Sequence, residues 1–343
     1  MKPIRSVGIL IAAFLLALTC DAQVRMAGLN SAGFLKIGVG ARYVAMGSAS
    51  TSLDGDANAM FWNPAGTVLK EGQSLQAAFS YNKWIADLGH NAFAVTYKLG
   101  DIGTIGVGGI MFGVNGIKAY RDIAPPGLES IQTDMSRTDT YDYMDLALQV
   151  TYSRQFTENL ALGATFRYIN EKVDDLSASA IALDLGSIYT IGSLGEFLND
   201  WKLSARLTNL GTGIKYYDVE SPIPITFSVG TSFKPFKNKE IGELLLAIDA
   251  VKQQDNPQLF FVGAEFTFQE MVSLRGGWKL NYSGTKDDGT TTRAAIDQTI
   301  EGGSAGIGVH MKLSDYDVRV DYAFTAMNLL DSVHRITLSV GMK

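Results

Sequence analysis

Two acids and an asparagine at alternating positions begin a calcium loop. In "DGDANAMFWNPA", Asp54, Asp56 and Asn58 take the first, third and fifth places. Such a loop needs Gly at the sixth place for its sharp turn and a bidentate Glu at the twelfth. This chain has Ala59 and Ala65 there, so the segment lacks the groups that would complete a cation cage. "GGSAG", Gly302 to Gly306, matches a nucleophile elbow, but that chemistry needs a strand-to-helix turn, and Ser304 leads into the strand-like "AGIGVHMKL". His90, His310 and His334 lack ligand spacing, and His310 reads as an interior residue of a strand's polar face, not as a base. The carboxylates are spread over many segments, so no acid/base pair can be named. Neither an enzyme nor a cofactor or metal is expected.

The elements that hold these residues follow from periodicity. In "HRITLSVGMK", Ile336, Leu338, Val340 and Met342 share one face, and Arg335, Thr337, Ser339 and Gly341 the other. In "LFFVGAEFTF", Phe260, Val262, Ala264 and Phe266 alternate with Phe261, Gly263, Glu265 and Thr267. This period of two is the strand signature. It predicts fourteen strands, near 74–82, 91–99, 103–113, 142–155, 159–170, 178–190, 201–210, 224–234, 243–252, 259–268, 271–282, 303–313, 317–326 and 333–343. Most are near ten residues, the length that takes a tilted strand across a bilayer core.

Connections after even-numbered strands are short, such as "GDIG", "QFTE", "QE" and "SDY", with "GSLGEFLND" and "PFKNKEIG" as longer cases. Several after odd-numbered strands are long and polar, such as "GTGIKYYDVESPIP" and "SGTKDDGTTTRAAIDQTIEGG". Outer-membrane barrels have short periplasmic turns and long outer loops. The expected fold class is therefore all-β, a transmembrane β-barrel of about fourteen antiparallel strands over 71–343, located in the outer membrane of a Gram-negative bacterium. Outer-membrane lipid meets its apolar faces. Asp145, Arg167, Asp184, Arg206, Asp249, Glu265, Arg275, Lys279, Arg319, Asp321 and Arg335 lie on polar faces and are expected in the lumen. Tyr81, Trp84, Trp201, Tyr216, Tyr217, Trp278, Tyr282 and Tyr322 fall near strand ends, which suits aromatic girdles.

The ends and the composition agree. Lys2 and Arg5 precede the apolar run Val7 to Leu18, and "TCDAQ" offers cleavage after Ala22, so 1–22 reads as a signal peptide. Cys20 is the chain's one cysteine, and Thr19 stands where a lipoprotein signal wants a smaller residue. Cleavage leaves no disulfide, thiol nucleophile or Cys-based zinc site. A formal net charge of -6 gives no support for nucleic-acid binding. Charged residues are 19 %, below the roughly 25 % of an average soluble domain, beside 36 Gly.

Residues 23–70 differ in kind, being full of small residues without clean alternation. They are expected to form a plug inside the barrel, with Gly38, Gly40, Ala45, Met46, Gly47, Asp56, Asn58, Trp62, Asn63, Pro64 and Gly66 as its structural motif. "FLKIGVGARYVAMGSASTSLDGDANAMFWNPAG" resembles the N-terminal signature of the PorV/PorQ family of outer-membrane proteins. Its "NPAG" is distantly similar to the plug motif of the FadL long-chain fatty-acid transporters. "SPIPITFSVGTSFK" and the ending "DYAFTAMNLLDSVHRITLSVGMK" also resemble PorV/PorQ strands. The resemblance implies a fourteen-stranded plugged barrel serving type IX protein secretion or surface attachment by docking secreted substrates or partner subunits. The alternative is a FadL-like transporter of a hydrophobic molecule. A transporter calls for an apolar pocket beside the plug, and a docking protein for an apolar or aromatic patch on the loops.

Overall fold

The computed structural model describes residues 29–119, 139–238, 240–256, 258–281, 301–327 and 330–343. The proposed signal peptide, most of the two longest loops and Tyr282 lie outside them. Fourteen strands close into one antiparallel barrel. They are β1 (Leu75–Lys83), β2 (Gly89–Lys98), β3 (Thr104–Lys118), β4 (Thr140–Thr157), β5 (Leu160–Val173), β6 (Leu176–Leu194), β7 (Leu198–Gly211), β10 (Thr226–Asn238), β11 (Gly242–Gln253), β12 (Gln258–Phe268), β13 (Val272–Asn281), β14 (Glu301–Leu313), β15 (Tyr316–Met327) and β16 (Val333–Met342). Each pairs with its sequence neighbour, and β1 closes the wall against β16. A short hairpin, β8 (Ile214–Tyr216) and β9 (Val219–Ser221), is inserted between β7 and β10.

Several strands exceed the ten residues expected, β4 reaching 18 and β6 reaching 19. Two connections are corrected. "GSLGEFLND" and "PFKNKEIG" are not longer turns, because β6 and β10 run into them and β7 and β11 start inside them. Pairing satisfies more backbone there than a loop could, so the strands extend until the turn residues force a reversal.

Alternation sets the two faces. On β4, Leu148, Val150 and Tyr152 point outward while Asp145, Gln149 and Thr151 are buried inside. On β16, Ile336 and Leu338 are outward, with Arg335 and Thr337 buried. The exterior carries exposed Phe79, Phe93, Val107, Phe166, Leu185, Leu274 and Ile307 on successive parts of the wall. A closed wall satisfies every ladder hydrogen bond internally, which hydrocarbon demands, and this apolar belt is the surface lipid covers. The architecture is that of an outer-membrane β-barrel. Leu338→Arg, outward in the middle of β16, should cost roughly 2–4 kcal/mol of assembly. The check is the heat-modifiable band on gels, which should weaken for Leu338→Arg and persist for Leu338→Ile.

Residues 29–73 run within this wall. Ser31 N–H donates to Pro222 O near the long-loop end, and Leu69 N–H to Thr104 Oγ1 near the short-turn end. One helical turn, α1 (Ala41–Ala45), and 3-10 turns at Ala57–Phe61 and Pro64–Thr67 shape the segment. Its fixed point is at the short-turn end, where Ser74 N–H bonds Met342 O beside the closing pair of strands.

Candidate functional site

The N-terminal segment is held by ion pairs and by close backbone approach. Arg42 donates from Nε and Nη2 to Glu265 at 2.9 and 2.8 Å. Glu265 also accepts from Arg275 Nε at 2.5 Å, and Arg275 Nη1 donates to Asp321 at 2.7 Å. Glu265 and Arg275 face each other across β12 and β13, so the register builds the receptor for Arg42. Lys202 on β7 donates to Asp54 at 2.5 Å. Asp249 Oδ2 accepts from Ser50 N, Thr51 N and Thr51 Oγ1 at 2.7–2.8 Å, a side chain on the wall capping a turn of the segment.

The motif residues all lie in this segment. Asp56 caps the 3-10 turn by accepting from Asn58 N at 2.9 Å and Asn58 Nδ2 at 3.0 Å, and Arg319 reaches its other oxygen at 3.3 Å. Asn63 caps the next turn, which Pro64 opens, and its Nδ2 donates to Thr51 O at 2.7 Å and to Ser187 O on β6 at 3.2 Å. Trp62 donates its indole N–H to Val39 O at 2.8 Å and stacks on Tyr43. Gly38 packs under Trp62 and Val44, Gly40 precedes α1, and Gly66 lies against Leu53 O. Ala45 and Met46 are fully buried. Gly47 has φ +63° and stands so close to Gly277 that a Cβ on Gly277 would lie 2.1 Å from Gly47 N. The row Gly263, Gly277 and Gly306 on β12, β13 and β14 is the seat of Ala45–Met46–Gly47.

The interior charges form separate webs. Arg167 donates to Asp184 at 2.7 Å, to Gln149 at 2.9 Å and to Asn209. Gln149 in turn donates to Met60 O of the segment at 3.2 Å. Arg335 is buried, donates to Thr325 at 3.0 Å and lies over Trp84 at 5.2 Å. Lys279 pairs with Glu301, and half-buried Arg319 sits near the short-turn end. Asp145 accepts from Tyr143 Oη at 2.5 Å. His310 bonds the Glu270 carbonyl and Asp317 at the end of its strand, so it lies beside a turn and not deep in the lumen.

The long-loop half of the interior adds aromatic and aliphatic side chains to the charges that alternation places in the lumen. It holds a cavity of about 760 Å³. Its floor is the segment's Gly33–Val39 stretch with Phe61 and Trp62. Its walls include Trp84, Ile110, Phe112, Val251, Leu259, Phe261 and Met327 beside Arg167, Arg206, Thr208 and Asn209. Two girdle assignments are corrected. Trp84 turns inward beneath Arg335, and Tyr216 packs on the interior cluster around Phe34 with its hydroxyl 3.4 Å from Glu171. Both rings bury more apolar surface inside than at a headgroup interface, and each has a polar partner for its burial. Tyr217 is exposed at the hairpin tip, Tyr81 and Trp278 are exposed on the wall, Tyr322 Oη pairs with His334, and Trp201 donates to Thr231 Oγ1. The cavity's aromatic walls were the missed functional feature. The signal was Phe261 and Phe112, which fall in register with polar positions such as Glu265 and Thr104.

No protein-family model matches the chain, and no curated protein matches it. The fold is similar to solved barrels. The Pseudomonas putida toluene transporter TodX has a TM-score of 0.51 at 12 % identity, covering 89 % of this chain and 97 % of that one. The monoaromatic hydrocarbon channel CymD has 0.52 at 11 %, covering 89 % and 96 %. A Pseudomonas aeruginosa FadL homologue has 0.51 at 11 %, covering 89 % and 98 %. At these identities the likeness is one of fold.

Proposed function

We propose that this barrel carries a small hydrophobic molecule across the outer membrane, with residues 29–70 as its plug and the cavity as the station where the molecule binds. The observation that carries this reading is the cavity. Its volume falls in the ordinary range for small-molecule sites, and its lining sets aromatic and aliphatic side chains beside charged and polar ones, Lys36, Arg167, Arg206, Lys279 and Glu301 among them. It lies directly on the N-terminal segment, so movement of that segment changes its floor. TodX and CymD, which share the fold, are described as a toluene transporter and a monoaromatic hydrocarbon channel. No catalytic role is proposed.

The docking role in type IX secretion, with secretion or surface-attachment proteins as partners, rests on the PorV/PorQ resemblance alone. Among the described residues, the long-loop end exposes Tyr217 and Val219 at the hairpin tip and, on other connections, Leu29, Val173, Leu176 and Leu330.

The test is binding. Purified barrel in detergent should bind N-phenyl-1-naphthylamine saturably, with quenching of its tryptophan emission. Val251→Trp fills the cavity from β11 and should reduce that binding about tenfold or more, since the probe loses most of its buried apolar area. Retained heat-modifiable migration shows that the variant still folds. Equal binding by parent and filled barrel contradicts the assignment of the cavity.

A further inference from the structure

Arg206 is a buried cation that its surroundings leave open. It lies on β7, is 7 % exposed and lines the cavity. The other cations of the lining are matched: Lys36 with Asp255 at 2.5 Å, Arg167 with Asp184 at 2.7 Å, and Lys279 with Glu301. Among the described residues Arg206 has no hydrogen bond or ion pair, and its Nε is buried without an acceptor. Its guanidinium lies over the Trp62 ring, 5.4 Å from the ring centroid.

Asp249 and Asp184 are the carboxylates whose fields reach it. Neither closes the pair. Asp184 is engaged by Arg167 and by Asn209 N at 2.6 Å. Asp249 commits one oxygen to Ser50 and Thr51, and its other oxygen is also unpartnered. A buried donor without an acceptor is costly, and a guanidinium makes stronger hydrogen bonds than a neutral donor. An acceptor brought by a ligand therefore gains more here than anywhere else on the cavity wall.

We propose that Arg206 sets the specificity of the cavity, and that the preferred ligand is an apolar molecule carrying one hydrogen-bond-accepting oxygen at its edge, not a plain hydrocarbon. This rests on the transport reading above. The apolar body sits among Phe34, Phe61, Phe112 and Phe261, and the oxygen meets the guanidinium beside Trp62. The shared chemistry is an acceptor oxygen, which a neutral carbonyl or a carboxylate can supply.

Three probes of nearly equal size separate the possibilities: 2-ethylnaphthalene, 2-acetonaphthone and naphthalene-2-carboxylate, titrated calorimetrically into the detergent-solubilised full chain. The ketone, the carboxylate or both should bind about tenfold tighter than the hydrocarbon. Arg206→Met should shrink that advantage to about twofold or less, and Arg206→Lys should keep part of it, with heat-modifiable migration reporting folding for both. Preference for the ketone alone identifies a neutral acceptor, and preference for the carboxylate alone an anion; either supports the proposal. Equal affinities in the parent, or an advantage undiminished in folded Arg206→Met, overturn it. A folded parent that binds none of the three overturns the transport reading itself.

Discussion

Gly277→Val and Gly186→Val barrels should assemble in the membrane with their N-terminal segments displaced. A Cβ on Gly277 would stand 2.1 Å from Gly47 N and 2.2 Å from Met46 C. Those are backbone atoms, so no side-chain rotamer relieves the clash. A Cβ on Gly186 would stand 1.9 Å from Asn63 Oδ1 and 2.9 Å from Pro64 Cδ. Asn63 is fixed by its bonds to Thr51, Ser187 and Ala65, so it cannot swing aside without losing them. Overpacking of this kind costs about 1–3 kcal/mol per site, and the segment has less wall pairing to lose than the strands. The readouts are protease cleavage within the segment and ion conductance in planar bilayers, both of which should rise. Gly276→Val is the control, because its Cβ would meet only Ser304 O at 4.0 Å. A Gly277→Val barrel as protease-resistant and as closed as the parent would contradict the seating.

Glu265→Ala should be among the costliest single changes in the lumen, at about 3–5 kcal/mol. Removing the carboxylate leaves Arg42 without its acceptor and Arg275 with only Asp321. Glu265 and Arg275 side chains are 7 % and 2 % exposed, so water does little to restore what is lost. Arg42→Ala should cost less, because Glu265 keeps Arg275 and Arg42 is the more exposed partner at 15 %. Lys312→Ala breaks a pair whose side chains are 61 % and 78 % exposed, and should change stability by less than about 1 kcal/mol. Urea midpoints of the heat-modifiable band, compared across the three variants, give the ranking. A Glu265→Ala midpoint equal to that of Lys312→Ala would show that the buried web holds nothing.

The strands were legible because a lipid-facing barrel wall enforces the period of two with few exceptions. Leu338 and Thr337, or Val150 and Thr151, can be assigned to faces from the sequence by this rule alone. The strand ends were less legible. Phe236 and Leu194 read as loop, yet the ladder reaches both, because a turn is set by the three or so residues that reverse the chain and not by polarity. The cavity was hidden for a different reason. Phe112, Leu259 and Phe261 fall on the polar faces of their strands and so read as inward, but alternation alone does not show that they gather with the N-terminal segment around one cavity. Trp84 and Tyr216 misled, since an aromatic near a strand end fits a girdle as well as an inward anchor. The small residues of 34–66 did mark a segment with unusual packing. Which wall glycine each one meets depends on contacts far apart in the chain, such as Gly47 with Gly277 and Asn63 with Gly186, and no local pattern carries that.

The most direct test of the transport reading is entry of an apolar probe into cells. In a Gram-negative host, expression of the parent barrel should raise the rate of N-phenyl-1-naphthylamine uptake above that of cells without it, and folded Val251→Trp should return the rate to the background. A folded parent in the outer membrane that leaves uptake unchanged, or a filled cavity that passes the probe as fast as the parent, would contradict the account.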